Sequence, residues 1–368
     1  MLQTCKQGAT QRRVIHDIAS CGTLGLGNNG LPVALKPLKY GLIQENGLLM
    51  EPKTPHADRV LEATSSASAA ARSRIAASWH RSVQKHGLDP DNQRAPEIIE
   101  QSALQDRLNA HEKLMTIAAP RLDALFSLVG QSGCAVLLTD AKGVVLDQRI
   151  SDADKAAFET WGLSAGADWS EEREGTNGIG TCLTERRRVI IHQDEHFHAR
   201  NTGMSCIDAP IFGENGQIVG ALDVSSARAD QTEAFNRLIC AQVSQTARAI
   251  EEANFRATFG TARIIVAESD NTETACLLAV DHHDLVIGAT REARRAFGLA
   301  GSGPLAARPA ADILGQEDGP TGFQRAERAA VVRALARANG NVSQAARQLG
   351  VARATLYRRM KRLGLDDL

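Results

Sequence analysis

The last 44 residues of this 368-residue chain carry ten Lys/Arg against three Asp/Glu, although the formal net charge of the whole is −1. Positive charge gathered at one end is the footprint of a surface that binds phosphate. Arg353, Thr355, Arg358, Arg359 and Lys361 are the candidate contacts. Guanidinium forks bind phosphate oxygens or guanine edges, and hydroxyl and ammonium groups add phosphate contacts. A second group, Thr176, Asn177, His196 and Cys206, supplies the few polar side chains with which a concave pocket orients a small molecule.

Other chemistry is weaker. His192, Asp194, His196, His198 and Cys206 are of types that suit zinc or iron. The His-x-His pair falls in a loop and no second matched pair follows it, so no metal is expected. Cys182 and Cys206 would make a redox pair, but buried free cysteine is a common packing residue. Cys182, His192 and Asp208 can be arranged on paper as a catalytic set. No Ser/Cys elbow or paired-carboxylate pattern supports it, so neither an enzyme nor a cofactor is expected. Gly25-Leu-Gly-Asn-Asn-Gly30 spells a dinucleotide-type glycine pattern, yet Leu31-Pro32 follows where a helix would have to start. Seven cysteines without a Cys-x-x-Cys pair indicate reduced thiols and a cytoplasmic protein. No run of 18 apolar residues is present, so no membrane span is expected.

The elements that position these residues follow from periodicity. Val331, Leu335 and Ala338 recur at helical spacing, and Asn339-Gly340 ends that helix. Asn341 caps a second helix with Val342, Ala345, Ala346 and Leu349 on its buried face. Gly350 turns the chain, and Val351, Leu356 and Met360 seat a third, basic helix. This spacing is that of a helix-turn-helix whose last helix enters the major groove. Upstream, helices are expected over 69–84 and 97–129, the second interrupted near Pro120. Strands 134–139 and 144–150 make one hairpin and 207–212 and 217–225 another, with a further strand at 188–192. A long helix over 230–259 closes this part. Strand, turn, strand and helix follow over 275–298, and 315–322 reads as a linker. Residues 1–49 lack periodicity, which suggests a disordered extension with the true start at Met50.

The segment Gly340-Asn-Val-Ser-Gln-Ala-Ala-Arg-Gln-Leu-Gly-Val351, with Thr355-Leu-Tyr-Arg-Arg-Met360, resembles the Fis-type helix-turn-helix. The resemblance implies DNA binding as a dimer, with recognition contacts at Arg353, Thr355, Arg358 and Arg359. Ala352 departs from the Ser or Asn usual there and forgoes a cap worth about 0.5–2 kcal/mol. Ser78-Trp-His-Arg-Ser82, Glu174-Gly-Thr-Asn-Gly-Ile-Gly-Thr-Cys-Leu183, Glu195-His-Phe197, Cys206-Ile-Asp-Ala-Pro-Ile-Phe212 and Gly220-Ala-Leu-Asp-Val-Ser225 resemble the GAF sensory region of regulators of acetoin and glycerol metabolism. Gly175, Gly178 and Gly180 read as a tight backbone passage; the alternative is that Thr176 and Asn177 line an effector pocket. Residues 275–298 resemble the opening of a PAS domain.

The expected fold is multidomain α+β: a GAF-like antiparallel sheet with flanking helices, a partial PAS-like segment and an all-α helix-turn-helix. The expected boundaries are a disordered extension over 1–68, helices over 69–120, the GAF domain over 121–258, the PAS-like segment over 264–315 and the head over 323–368. Relatives of this kind usually carry an ATPase that remodels sigma-54 polymerase, but no G-x-x-x-x-G-K-[ST] phosphate loop occurs here. The expected function is a one-component transcriptional regulator, with double-stranded DNA and an unidentified small effector as ligands and a homodimer as the assembly. The alternative is an antagonist of a full-length sigma-54-dependent activator, acting by site competition or mixed dimers.

Overall fold

The computed structural model describes residues 54–228, 232–268, 275–299, 301–315 and 322–365. The stretch before Met50, and the question of a start there, lie outside those residues. The extension expected over 1–68 is helical at its end. Helices α1 (Pro55–Ser65) and α2 (Ala67–Arg72) precede α3 (Arg74–Gln84). The overlooked signal is a cap: Thr54 Oγ1 accepts from the Ala57 N–H at 3.2 Å, and Pro55 opens the helix where its missing N–H costs nothing. Val60 of α1 then packs with Trp79 of α3 and with Phe197.

Helices α4 (Gln101–Ala110) and α5 (Glu112–Val129) stand where one interrupted helix was expected, and the break falls at His111 rather than Pro120. Pro120 lies inside α5. An interior proline costs a helix about 3 kcal/mol or more. Against that, α5 buries Leu114, Leu122, Leu125 and Val129 on one face, each worth about 1.5–3 kcal/mol. Tertiary packing wins.

Strands β1 (Cys134–Thr139) and β2 (Val145–Arg149) form the first expected hairpin. Helices α6 (Lys155–Thr160), α7 (Glu171–Glu174) and α8 (Gly178–Glu185) lead to β3 (Val189–His192). Strands β4 (Ser205–Phe212) and β5 (Ile218–Ser226) make the second hairpin, and α9 (Glu233–Thr258) follows. The sheet runs β2-β1-β5-β4-β3, antiparallel throughout. Strand alternation gives it two faces. Val136, Leu138, Ile207, Ile211, Leu222 and Val224 pack under α5 and α9. Ala135, Leu137 and Cys206 take the other face with Phe158, Trp169, Ile179 and Met204. By the same alternation Asp208, Asp223 and Ser225 belong to that second face.

A smaller antiparallel sheet comes next, with β6 (Arg263–Val266), β7 (Leu277–Val280), β8 (Leu285–Ala289) and β9 (Arg308–Pro309) in chain order. Helix α10 (Arg291–Ala296) follows β8, and α11 (Ala310–Leu314) follows β9. The expected strand, turn, strand and helix are β7, β8 and α10. Leu278, Val280, Val286, Ala289 and Ala293 make this unit a core of its own.

Helices α12 (Phe323–Arg337), α13 (Val342–Gln348) and α14 (Arg353–Arg362) form the basic end. Val331, Leu335, Ala345, Ala346, Leu356 and Met360 are its buried centre. Asn341 caps α13, its Oδ1 accepting from the Gln344 N–H at 3.1 Å. Gly340 and Gly350 turn the chain at φ of 80° and 63°, a region in which glycine is unstrained. Among the described residues no helix is long and apolar enough to cross a membrane.

Candidate functional site

The polar face of the large sheet is built from three segments. Helix α3 supplies a clamp: Ser78 Oγ donates to Glu171 Oε2 at 2.9 Å, and Arg81 Nε and Nη2 donate to the two Glu171 oxygens at 2.6 and 2.9 Å. Thr176 Oγ1 donates to Ser78 Oγ at 2.7 Å, and Trp79 Nε1 donates to the Glu195 carbonyl at 2.9 Å. One helical stretch thus pins both the turn before α8 and the loop after β3. Asn177 caps α8: its Oδ1 accepts from the Gly180 N–H at 2.8 Å and its Nδ2 donates to the Gly175 carbonyl at 2.9 Å. The helix lies so close to the sheet that a Cβ on Gly178 would stand 2.0 Å from Asp208 Oδ2 and 2.6 Å from the Cys206 Cβ.

Beneath α8 the polar groups connect. His196 Nε2 lies 3.3 Å from Cys206 Sγ. Ser225 Oγ lies 3.2 Å from the same sulfur and 2.8 Å from Asp223 Oδ2. Asp208 and Asp223 face each other across the β4–β5 pair, and both are fully buried. Burial raises the pKa of each carboxyl, and the charge of Asp223 raises that of Asp208 further. No N–H or O–H of a described residue reaches either Asp208 oxygen. Burial of two facing carboxyls disfavours both being charged at once. Burial also pushes His196 and His198 down to about 4, so both rings are neutral at pH 7. It pushes the Cys182 and Cys206 thiols well up, which removes the thiolate that redox chemistry requires.

Thr176, Asn177, His196 and Cys206 therefore meet in one layer. The first two direct their hydrogen bonds to Ser78 and to backbone. The residues weighed for a metal are dispersed: Asp194 pairs with Arg59, and His192 Nδ1 lies 2.7 Å from Ser205 Oγ. Among the described residues no three His, Cys, Asp or Glu side chains converge to hold a metal ion. The acid pair was not visible in the sequence, because Asp208 and Asp223 become neighbours only through the register of two strands.

At the basic end, Leu356 and Met360 of α14 and Leu363 just after it are buried on the three-helix core. At 100° per residue, Ala354, Arg358 and Lys361 lie on the opposite face. Arg358 and Lys361 are exposed and make no ion pair with a described residue. Arg353, on one flank, lies 5.6 Å from the Tyr357 ring centroid. Thr355 and Arg359 form the other flank, and Arg359 Nε is 3.3 Å from Glu327 of α12, which also pairs with Arg362. Ala352 makes no side-chain cap. Tyr357, 47% exposed beside Arg353, belongs to this surface and was not among the expected contacts.

Residues 113–253 match the GAF domain family, and residues 323–363 match the Fis family of bacterial regulatory proteins. The chain joins a GAF domain to a Fis-type helix-turn-helix. It is similar to the acetoin catabolism regulatory protein of Cupriavidus necator, 32% identical over 65% of this chain and 36% of that protein. It is also similar to the acetoin dehydrogenase operon transcriptional activator of Bacillus subtilis, 33% identical over 42% of this chain and 25% of that protein. A third relative is the propane 2-monooxygenase operon transcriptional activator of Mycolicibacterium smegmatis, 31% identical over 45% of this chain and 27% of that protein. The chain thus spans about a quarter to a third of the length of these curated relatives. A solved structure of the E. coli DhaR(N)-DhaL complex is 15% identical, with a TM-score of 0.46 over 65% of this chain and 80% of that one.

Proposed function

We propose that this chain is a one-component transcriptional regulator in which paired Fis-type heads bind double-stranded DNA under control of a small molecule taken up by the GAF domain. The observation that carries the reading is the outward face of α14, where Arg358 and Lys361 stand exposed opposite Leu356 and Met360. That position suits base edges, while Arg353, Thr355 and Arg359 on the flanks suit phosphates. Pairing of chains is supported by Leu128 of α5 and Leu238 of α9, 64% and 68% exposed on two helices that pack together.

The effector site proposed is the polar layer of Thr176, Asn177, His196 and Cys206 beneath α8. A ligand there requires α8 to lift from the sheet, and it then exchanges hydrogen bonds with groups that hold α3, α8 and the loop after β3 together. It shifts the protein only if it prefers one arrangement of those elements to another. The named pathways of the relatives suggest small, weakly charged metabolites, so acetoin, short diols and short alcohols are the compounds to screen first. A second reading rests on residues 254–322, where a small sheet lies between the GAF domain and the head. In it, the chain occupies the sites of a longer activator, or pairs with that activator, without driving polymerase itself.

The test is a gel shift on DNA from the neighbouring promoter regions, with and without the screened compounds. Arg358→Ala is expected to weaken binding by about 1–3 kcal/mol, the usual worth of a base-reading arginine. Unchanged affinity for Arg358→Ala removes Arg358 from the interface.

A further inference from the structure

A cavity of about 520 Å³ opens at the edge of the large sheet, apart from the polar layer beneath α8. Strand β3 pairs with β4 only from Ser205 to Asp208, and the cavity lies beyond that point. Its floor is apolar, made by Ala209, Pro210 and Phe212, and α9 forms one wall. Its rim carries five arginines: Arg186, Arg187 and Arg188 from the turn after α8, Arg248 from α9 and Arg291 from the start of α10.

Two of these charges are already answered, since Arg187 lies 3.6 Å from Glu185 and Arg248 lies 2.9 Å from Glu252. Arg186 and Arg291 make no ion pair with a described residue. The Arg291 guanidinium lies 4.2 Å from the centroid of the Phe212 ring, a cation–π contact that holds it at the rim. Arg186 stands at φ 55°, in the left-handed region where glycine is free of strain. An arginine at a backbone position that suits glycine points to a use for the side chain. The buried acid of the wall, Glu251, accepts from the Phe212 N–H at 2.8 Å, and burial pushes its carboxyl up to about 8. At neutral pH it does little to cancel the arginines. Ser244 Oγ in the same wall has no hydrogen-bond partner among the described residues.

We infer that this cavity is a binding site for a small polyanion carrying phosphate or carboxylate groups, with Arg186 and Arg291 as its charged contacts. The volume falls within the range of small-molecule sites. Two guanidinium forks match two acidic groups bidentately, and the apolar floor receives a short carbon skeleton. Arg186 belongs to the GAF domain and Arg291 to the smaller sheet, so an occupant would join the two. This inference is independent of the effector site beneath α8.

The test uses the full chain, titrated calorimetrically with pyrophosphate and separately with citrate, at ionic strength held constant with sodium chloride. Saturable binding of either, at one site per chain, is expected; the stronger of the two tells phosphate from carboxylate chemistry. Arg186→Gly separates ligand binding from folding. It relieves the left-handed backbone, so its thermal midpoint should rise while its anion affinity falls at least tenfold. Arg291→Gln should also lose at least tenfold, and Arg237→Gln, which pairs with Glu233 of α9 outside the cavity, should bind like the parent. Heats no larger than those of chloride for both anions overturn the inference. So does Arg186→Gly that binds pyrophosphate and citrate as tightly as the parent.

Discussion

At the residue scale, two side chains set opposite limits. Ala352 stands where a capping hydroxyl would satisfy the first N–H groups of α14, and it makes no such bond. Ala352→Ser should therefore stabilise α14 by about 0.5–2 kcal/mol, read as slower hydrogen exchange at the amide of residue 354, since that of Thr355 already donates to the Ala352 carbonyl at 2.9 Å. Unchanged exchange at residue 354 would show that the introduced hydroxyl does not cap the helix. Buried acids act through pH. Glu251 is pushed up to about 8 and Glu174 to about 7, in each case first by burial. A folded pKa above the unfolded value of about 4 means that the fold holds a proton the unfolded chain releases. Their contribution is complete below about pH 4 and is lost as pH rises through about 7 to 8. The unfolding free energy from urea titration should fall across that window, by about 1.4 kcal/mol per pH unit for each proton retained. Glu251→Gln should flatten the fall; an equally steep curve in that variant would assign the proton elsewhere.

At the element scale, α8 is the piece on which the sensor depends. A Cβ on Gly180 would stand 2.3 Å from the backbone nitrogen of Glu171 and 2.8 Å from the Trp169 carbonyl oxygen. Backbone cannot swing aside as a side-chain tip does, so Gly180→Ala should cost about 1–3 kcal/mol or more in chemical denaturation. A neutral result would mean that α8 sits further from α7 than described. The head was legible because its signals are local: helical spacing, Asn341 as a cap and Gly350 as a turn. The two hairpins were legible for the same reason. Apart from the local cap of α1 and the shortest strands, what escaped depends on distance along the chain. Pro120 suggested a break that the buried face of α5 overrides, and β6 and β9 are too short for alternation to show. The Asp208–Asp223 pair requires strand register, and the arginine rim gathers residues from 186 to 291.

At the scale of the whole molecule, a GAF sheet with a sealed polar layer precedes a basic three-helix head in the chain. In the glycine passage of 175–180, Asn177 caps α8 and Thr176 donates to Ser78, which accounts for the tight backbone passage. The proposal that the head reads DNA as a pair is tested by selecting duplexes from a random library with the full chain and sequencing what is retained. Enrichment of an inverted repeat is expected, its half-sites about one helical turn apart or a multiple of it, with loss of that enrichment in Arg358→Ala. Retention of no sequence above background, or the same repeat selected by Arg358→Ala, would contradict it.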